Sequence, residues 1–352
     1  YLTTMNTSAT ELRKITPAGD YSLLFKKQRS GSDALNYPGN LVTTPEGKVI
    51  IADAVKQWIG LFDPEATYSA NPYLNFLFFE NWTNPRLLFD VYTNASESSS
   101  CDDIALDDTP GNPNFYCADL KQHAIWQIAD VLTATANVTL EATPSKGIPY
   151  AGKPGKTSLT DNDSVVPLPS VEEVKFNEPT NVTFQRHNGT PYLYVADSGD
   201  HLILEINLAT RQVRRVIGEV PPEANGKVRK ALCYSASEEG ADPKKAHLRF
   251  PHKALFDSQQ RLVFADTENR LIRIADIYSV SPRIYTIAGI MLPDDEACGT
   301  ATLPPAYTLE DGEARSSILN EAYSMALDPE GNLIIGDARA NRLRKLWLSY
   351  LK

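Results

Sequence analysis

The chain has 352 residues, 42% of them hydrophobic and 22% charged, the make-up of a globular protein long enough to bury a large core. A formal charge of −10 leaves no basic excess to displace counterions, which argues against general binding to nucleic acid or to an anionic membrane surface. No apolar run approaches the ~20 residues that cross a bilayer, the most apolar piece being the strand-sized Tyr73 to Phe79, and no charged start with an apolar core marks a signal peptide.

Taken in order, the chain reads as short β-strands. Leu2 to Met5 is an edge-like segment, followed by a strand from Glu11 to Thr16, a turn at Pro17-Ala-Gly19 and a strand through Tyr21 to Phe25. Four strands come next, Asn40 to Thr44, Lys48 to Asp53, Gln57 to Phe62 and Tyr73 to Phe79. A second group runs from Arg86 to about Ala142, interrupted by a Ser- and Asp-rich insertion at 93–113 whose Asp102, Asp103, Asp107 and Asp108 lack the spacing of a calcium loop. A Pro/Gly/Ser/Asp-rich connection at 144–175 reads as a loop over one face. Further groups span Thr180 to Gly218 and Lys253 to Gly289, and the last begins at Tyr323; between them lie insertions at 219–249 and 290–320.

These groups are copies of one unit. With Asp197 as position zero, an apolar strand precedes it and Ile203 follows six positions later; the same frame fits Asp53 with Ile59, Asp119 with Ile125, Asp266 with Ile272, Asp337 with Leu343 and, more loosely, Asn6 with Leu12. A small residue stands before each aspartate, namely Ala52, Ala118, Ala196, Ala265 and Gly336. A carboxylate or amide ending a strand can accept backbone N–H groups two residues on and close the turn into the next strand, so these aspartates are expected to be structural turn residues. The copies lie 47 to 78 residues apart, whereas a bare four-stranded blade needs about 40–45, so the excess belongs to loops on a propeller or array. The expected fold is all-β, a six-bladed (alternatively five-bladed) β-propeller of four-stranded antiparallel blades forming one domain over residues 1–352.

The residues also carry a resemblance. The Pro179-Thr-Asn-Val182 stretch before Leu193-Tyr-Val-Ala-Asp-Ser-Gly-Asp-His-Leu-Ile203, together with Leu327-Asp-Pro-Glu-Gly-Asn-Leu-Ile-Ile-Gly-Asp337, resembles the NHL repeat, as do Glu11 to Gly19 and the linker Thr286-Ile-Ala-Gly289. The resemblance covers most of the chain outside its insertions and implies a propeller; it does not imply a function.

Seven Asn-x-Ser/Thr sequons, at Asn6, Asn81, Asn94, Asn137, Asn162, Asn181 and Asn188, point to a secreted, extracellular glycoprotein carrying N-linked glycans. Four cysteines agree with that compartment, and proximity favours pairing Cys101 with Cys117 and Cys233 with Cys298 among the three pairings possible.

Propeller chemistry sits where the innermost strands begin, here at Asn40, Arg86, Asn181, His252 and Tyr323. Zinc lyases of the NHL type need several histidines there and only His252 is present; His123 and His201 share one turn slot of the repeat, while His187 and His247 lie in a hairpin and an insertion. Calcium-dependent lactonases want carboxylates with the asparagines, where Arg86 and His252 stand instead. No Gly-x-Ser-x-Gly, His-Glu-x-x-His or phosphate loop occurs, and no cofactor, catalytic residue or metal ligand is predicted. The expectation is a non-catalytic extracellular module for protein–protein interaction or structural assembly, and the alternative is a propeller enzyme with an axial metal site. The first group lacks an innermost strand and the last an outer one, unless Leu348 to Lys352 contributes it, which leaves three accounts: residues beyond these ends, a rearranged five-bladed seam, or a strand donated by a neighbouring molecule that builds oligomers or filaments.

Overall fold

The computed structural model describes residues 2–5, 9–15, 20–28, 38–43, 47, 49–53, 58–62, 101–107, 109, 114–129, 148–152, 170–220, 234–290 and 312–348. Among them are twenty-one strands, a few short 3-10 turns and no α-helix. Two compact units divide the chain, Tyr1–Lys156 and Thr157–Lys352.

The first unit holds three sheets. Strands β1 (Leu2–Met5), β2 (Ala9–Ile15) and β3 (Tyr21–Gln28) pair in chain order, as do β4 (Pro38–Thr43), β5 (Val49–Asp53) and β6 (Trp58–Phe62). The third is a four-stranded meander of β7 (Asp103–Asp107), β8 (Asn114–Asp119), β9 (Ala124–Ala129) and β10 (Ile148–Gly152). Unit two has two more such meanders, β11 (Pro179–His187) to β12 (Thr190–Asp197), β13 (Leu202–Asn207) and β14 (Val213–Ile217), then β15 (Pro251–Phe256) to β16 (Leu262–Asp266), β17 (Leu271–Ala275) and β18 (Ile284–Ala288). It ends in a three-stranded sheet of β19 (Ala322–Leu327), β20 (Leu333–Asp337) and β21 (Arg342–Leu346).

The aspartate frame is visible in the pairing register. Six positions after the frame residue, the third strand meets a bulge that skips one residue of the fourth. Ile125 faces Ala151 while Trp126 faces Pro149; Ile203 faces Ile217 while Leu204 faces Arg215; Ile272 faces Ala288 while Arg273 faces Thr286. Leu12 faces Phe25 while Arg13 faces Leu23, so β1, β2 and β3 are the second, third and fourth strands of a unit, as the loose match at Asn6 implied.

Within each unit, cores form where one sheet lies against the next. Ile50 and Ala52 of β5 pack with Ile104, Phe115 and Trp126 of the following sheet. Tyr194 and Ile203 pack with Phe264 and Ile284, and Val263 and Ile272 with Met325 and Ile335. A middle strand covered on both faces must be apolar throughout, which is why β8 and β16 read as unbroken runs rather than alternating ones. The small residue before each aspartate has the same cause: Ala52, Ala118, Ala196 and Ala265 are fully buried, and a Cβ on Gly336 would lie 2.2 Å from Ser324 Oγ.

Two insertions are smaller than the sequence suggests. The 93–113 stretch contains β7, whose Ile104 and Ala105 are buried against β8, and the 144–175 stretch contains β10. Their Asp, Pro and Gly residues suggested loops, but pairing with a buried neighbour outweighs such local preference. Part of a third insertion, 234–249, is folded onto β17 and β18. There Glu238 is the N3 residue of a capping box and receives Arg273 at 3.2 Å, while Tyr234 covers that guanidinium at 4.7 Å. The expected strand Tyr73–Phe79 and most of the 290–320 insertion lie outside the described residues.

Candidate functional site

The four described frame carboxylates, Asp119, Asp197, Asp266 and Asp337, are all fully buried. Asp119 does what its position predicts, its Oδ1 accepting from Lys121 N at 3.1 Å and Gln122 N at 3.0 Å. The other three do not accept from the backbone of their own turns. Asp197 accepts from Asn177 N (2.7 Å), Asp266 from Arg249 N (2.7 Å) and Asp337 from both Asn320 N and Glu321 N (3.1 Å each), so each anchors the segment leading into its innermost strand. The turn after each closes itself, through His201 N to Ser198 O, Arg270 N to Thr267 O and Asn341 N to Ala338 O, with His201, Arg270 and Asn341 left-handed at φ 60°, 60° and 51°. That frees the carboxylate for the longer-range contact. In three of the four, the second oxygen meets the residue seven positions on: Trp126 Nε1 at 3.0 Å, Arg273 at 3.5 Å and Arg344 Nε at 3.2 Å, while seven positions on from Asp197 stands Leu204. Burial pushes the Asp266 carboxyl up to about 6 against the opposing pull of Arg273. The backbone of Asp53 ends β5 as expected, and its side chain lies outside the described atoms.

The innermost strands place their first residues in a common register. Pro38, Pro179, Pro251 and Ala322 each face the frame aspartate, so Asn40, Asn181, Lys253 and Ser324 are equivalent. In the β7 sheet Asp103 faces Ala118 as Asn181 faces Ala196, so the position assigned to Arg86 belongs to Asp103; Arg86 lies outside the described residues. Asn40 Nδ2 donates to the buried Asp103 carboxylate. Asn181 uses its Oδ1 to accept from Ala254 N at 3.0 Å on the next sheet. His252 meets Tyr323 edge to face at 4.7 Å, with burial and Lys253 pushing the imidazole down to about 4, and Tyr323 is raised to about 12 by burial and Glu321. His201 is a buried turn residue whose Nδ1 accepts from Phe250 N at 3.2 Å, and burial, helped by Arg249, holds it down at about 4. His187 stacks on Tyr278 at 3.5 Å, and His247 bridges Glu238 at 3.1 Å and Glu219 at 3.2 Å. Among the described residues no three His, Cys, Asp or Glu side chains converge in a metal-binding group.

Cys101 and Cys117 form a buried disulfide that ties the start of β7 to β8, while Cys233 and Cys298 lie outside the described residues. Of the sequons, Asn188 is exposed in the β11–β12 hairpin with φ 49°. The Asn181 amide, by contrast, is fully buried between sheets. Asn6, Asn81, Asn94, Asn137 and Asn162 lie outside the described residues.

The sheet edges differ. The outer edge of β18 is closed by the folded insertion, with Gly240 N donating to Ile284 O at 2.8 Å, Ile284 N to Ala241 O at 3.1 Å and Thr286 N to the Glu239 carboxylate at 3.0 Å. Strand β21 pairs with β20 on one side and, among the described residues, with no strand on the other. Its frame residue Leu343 is 44% exposed, where Ile125, Ile203 and Ile272 are 0% exposed, and Trp347 just beyond it is 52% exposed. The frame itself foretold the equivalence of these four aliphatic residues; their unequal burial needed the packing.

No family profile matches the chain, and no curated protein matches it in sequence, so the NHL resemblance rests on the residues quoted for it. Solved structures do match. A protein of unknown function from Bacteroides thetaiotaomicron VPI-5482 aligns over 97% of this chain and 66% of its own at 12% identity, with a TM-score of 0.56. An auxiliary nutrient binding protein from the same organism aligns over the same shares at 16% identity and a TM-score of 0.52. A chain of a nidogen/laminin complex aligns over 98% of this chain and 88% of its own at 10% identity, with a TM-score of 0.50. This chain thus spans about two thirds of the length of the two Bacteroides proteins. At these identities the likeness concerns fold alone, and together with the repeated antiparallel sheets it identifies the chain as an all-β β-propeller protein.

Proposed function

We propose that this chain is a non-catalytic, extracellular module for protein–protein interaction or structural assembly, built on a six-bladed NHL-type propeller that forms a single domain and engages its partner through the outer edge of β21. The observation that carries the reading is the 44% exposure of Leu343 at a frame position that is closed in the complete sheets. Exposed aliphatic and aromatic groups on a strand edge form a template for another chain. The Cys101–Cys117 disulfide supports an oxidising compartment, and the exposed Asn188 suits an N-linked glycan.

Native material cross-linked and weighed in solution tests this. The expected result is an assembly, with itself or with a partner, whose cross-links cluster at residues 339–348 and which dissociates in Leu343→Glu and Trp347→Glu variants. A particle of single-chain mass at all concentrations, with no cross-link there, overturns it.

Asp103 favours a second reading, a calcium site of the lactonase kind within the first unit, because it stands at the same register position as Asn40 on the neighbouring sheet. Stoichiometric calcium in purified protein, lost on Asp103→Asn substitution, would support this reading over the first.

A further inference from the structure

We propose that His247 is a proton-dependent pin, holding the folded insertion 234–249 on the outer edge of β18 most tightly when both of its ring nitrogens carry hydrogen. The inference is independent of the interaction reading above.

The insertion runs from the edge of β18 back to the end of β14. Gly240 and Ala241 pair with Ile284, and a few residues later Gly218 N donates to Pro243 O at 3.0 Å and Glu219 N to Ala246 O at 2.7 Å. His247 comes next, and its ring lies between two acids. Nδ1 is 3.1 Å from Glu238 Oε1, and Nε2 is 3.2 Å from Glu219 Oε2. A carboxylate oxygen only accepts, and a neutral imidazole has one N–H, so in the neutral ring one nitrogen turns its lone pair toward an anionic oxygen. The imidazolium alone donates to both. Its Nδ1 bond ties the far end of the insertion to the near end, and its Nε2 bond ties both to the chain leaving β14.

The neighbouring charges have other partners. Glu238 also receives Arg273 of β17 at 3.2 Å and His247 N at 3.1 Å, so the buried acid is held whether or not the ring is charged. Arg249 is paired with Glu268 at 2.7 Å, and Asp266 of β16 accepts from Arg249 N and faces Arg273 at 3.5 Å. Within the insertion, Glu239 receives Thr286 N and the Tyr234 hydroxyl, with Arg315 at 3.6 Å. Toward solvent, Glu219 shares a pocket with Arg215, Asp242, Lys244 and Lys245. Losing the ring proton removes one donor and leaves Arg273 and the backbone bonds in place, so the hold on β18 weakens and does not vanish. A bared strand edge is a template for another chain, so pH sets how often this edge is open.

Amide exchange of the full chain tests this, read as protection factors so that the chemical pH dependence of exchange is removed. Between about pH 5.5 and about pH 8, which brackets the ordinary histidine range, Gly240, Ile284 and Thr286 should lose about fivefold in protection relative to Val195 and Ile203. Asp266, raised to about 6, also gives up stabilisation as pH rises, so substitutions at His247 separate the two groups. His247→Arg should keep the acidic protection at both pH values, and His247→Gln should show the weaker protection at both. Glu219→Gln should shrink the loss without changing protection at the higher pH. An equal loss in His247→Arg and His247→Gln would assign the effect to Asp266 and overturn the proposal, and so would the absence of any loss in the unaltered protein.

Discussion

A buried aspartate repeated along a chain can serve its own turn or reach elsewhere, and here three of the four described copies reach elsewhere. Asp266 is the most heavily used, holding Arg249 N, Asn269 and the fully buried Arg273. Replacing it by alanine strands that guanidinium with Glu238 as its remaining acid, and should cost about 3–5 kcal/mol in urea unfolding. Histidine burial gives a pH dependence. His201 and His252 are held at about 4, below the ordinary 6.5, so their neutral forms stabilise the fold fully above pH 6.5 and that contribution is lost as pH falls through 4. Asp266, raised to about 6, acts in the opposite sense: its contribution is full below 3.8 and lost as pH rises through 6, so it offsets part of the histidine loss on acidification. Melting temperatures from pH 7 to 4 should therefore fall, and fall less in His201→Asn, which keeps a residue tolerant of the left-handed turn. An unchanged slope in that variant would remove burial of His201 as the cause.

At the scale of the strand, the repeated bulge and the glycine after it define the fourth strand of the three complete sheets. Gly289→Ala must pay for positive φ and for a Cβ 2.2 Å from Arg270 O, whereas Gly331, at φ 80° with nothing within 4 Å of its Cβ, meets only the first term. The expected losses are about 1 kcal/mol at Gly331 and about 3 kcal/mol or more at Gly289, read as shifts in denaturation midpoint. The Cys101–Cys117 link closes a separation of 16 residues around β7, and replacing both by serine should cost about 3 kcal/mol. Strand β10 shows why sequence patterning missed an element. Its Pro149 and Gly152 look like loop residues, yet Tyr150-Ala151-Gly152 matches the other two fourth strands once their register is known.

For the molecule as a whole, the glycoprotein reading separates two sequons that are alike in sequence. If the chain passes through the secretory pathway, glycopeptide mass spectrometry should find Asn188 occupied and Asn181 bare, since Asn181 spends its amide between β11 and β15. Glycan on Asn181 would mean that this sheet contact is wrong. The start of the innermost strands carries the same lesson. Asn40 and Asn181 were legible as innermost-strand residues, but Asp103 was hidden in an acidic stretch and emerged as their equivalent through pairing with β8.

The sequence by itself determined the alternation of short strands and turns and the aspartate frame, because strand periodicity and turn chemistry are local properties of neighbouring residues. The tertiary structure alone decided which backbone segment each frame carboxylate anchors, which strands of the second unit complete their sheet, and which sequon is buried. Those outcomes depend on contacts between residues far apart in the chain, and the exposure of Leu343 beside three buried counterparts is decided by what covers it, which no local pattern encodes.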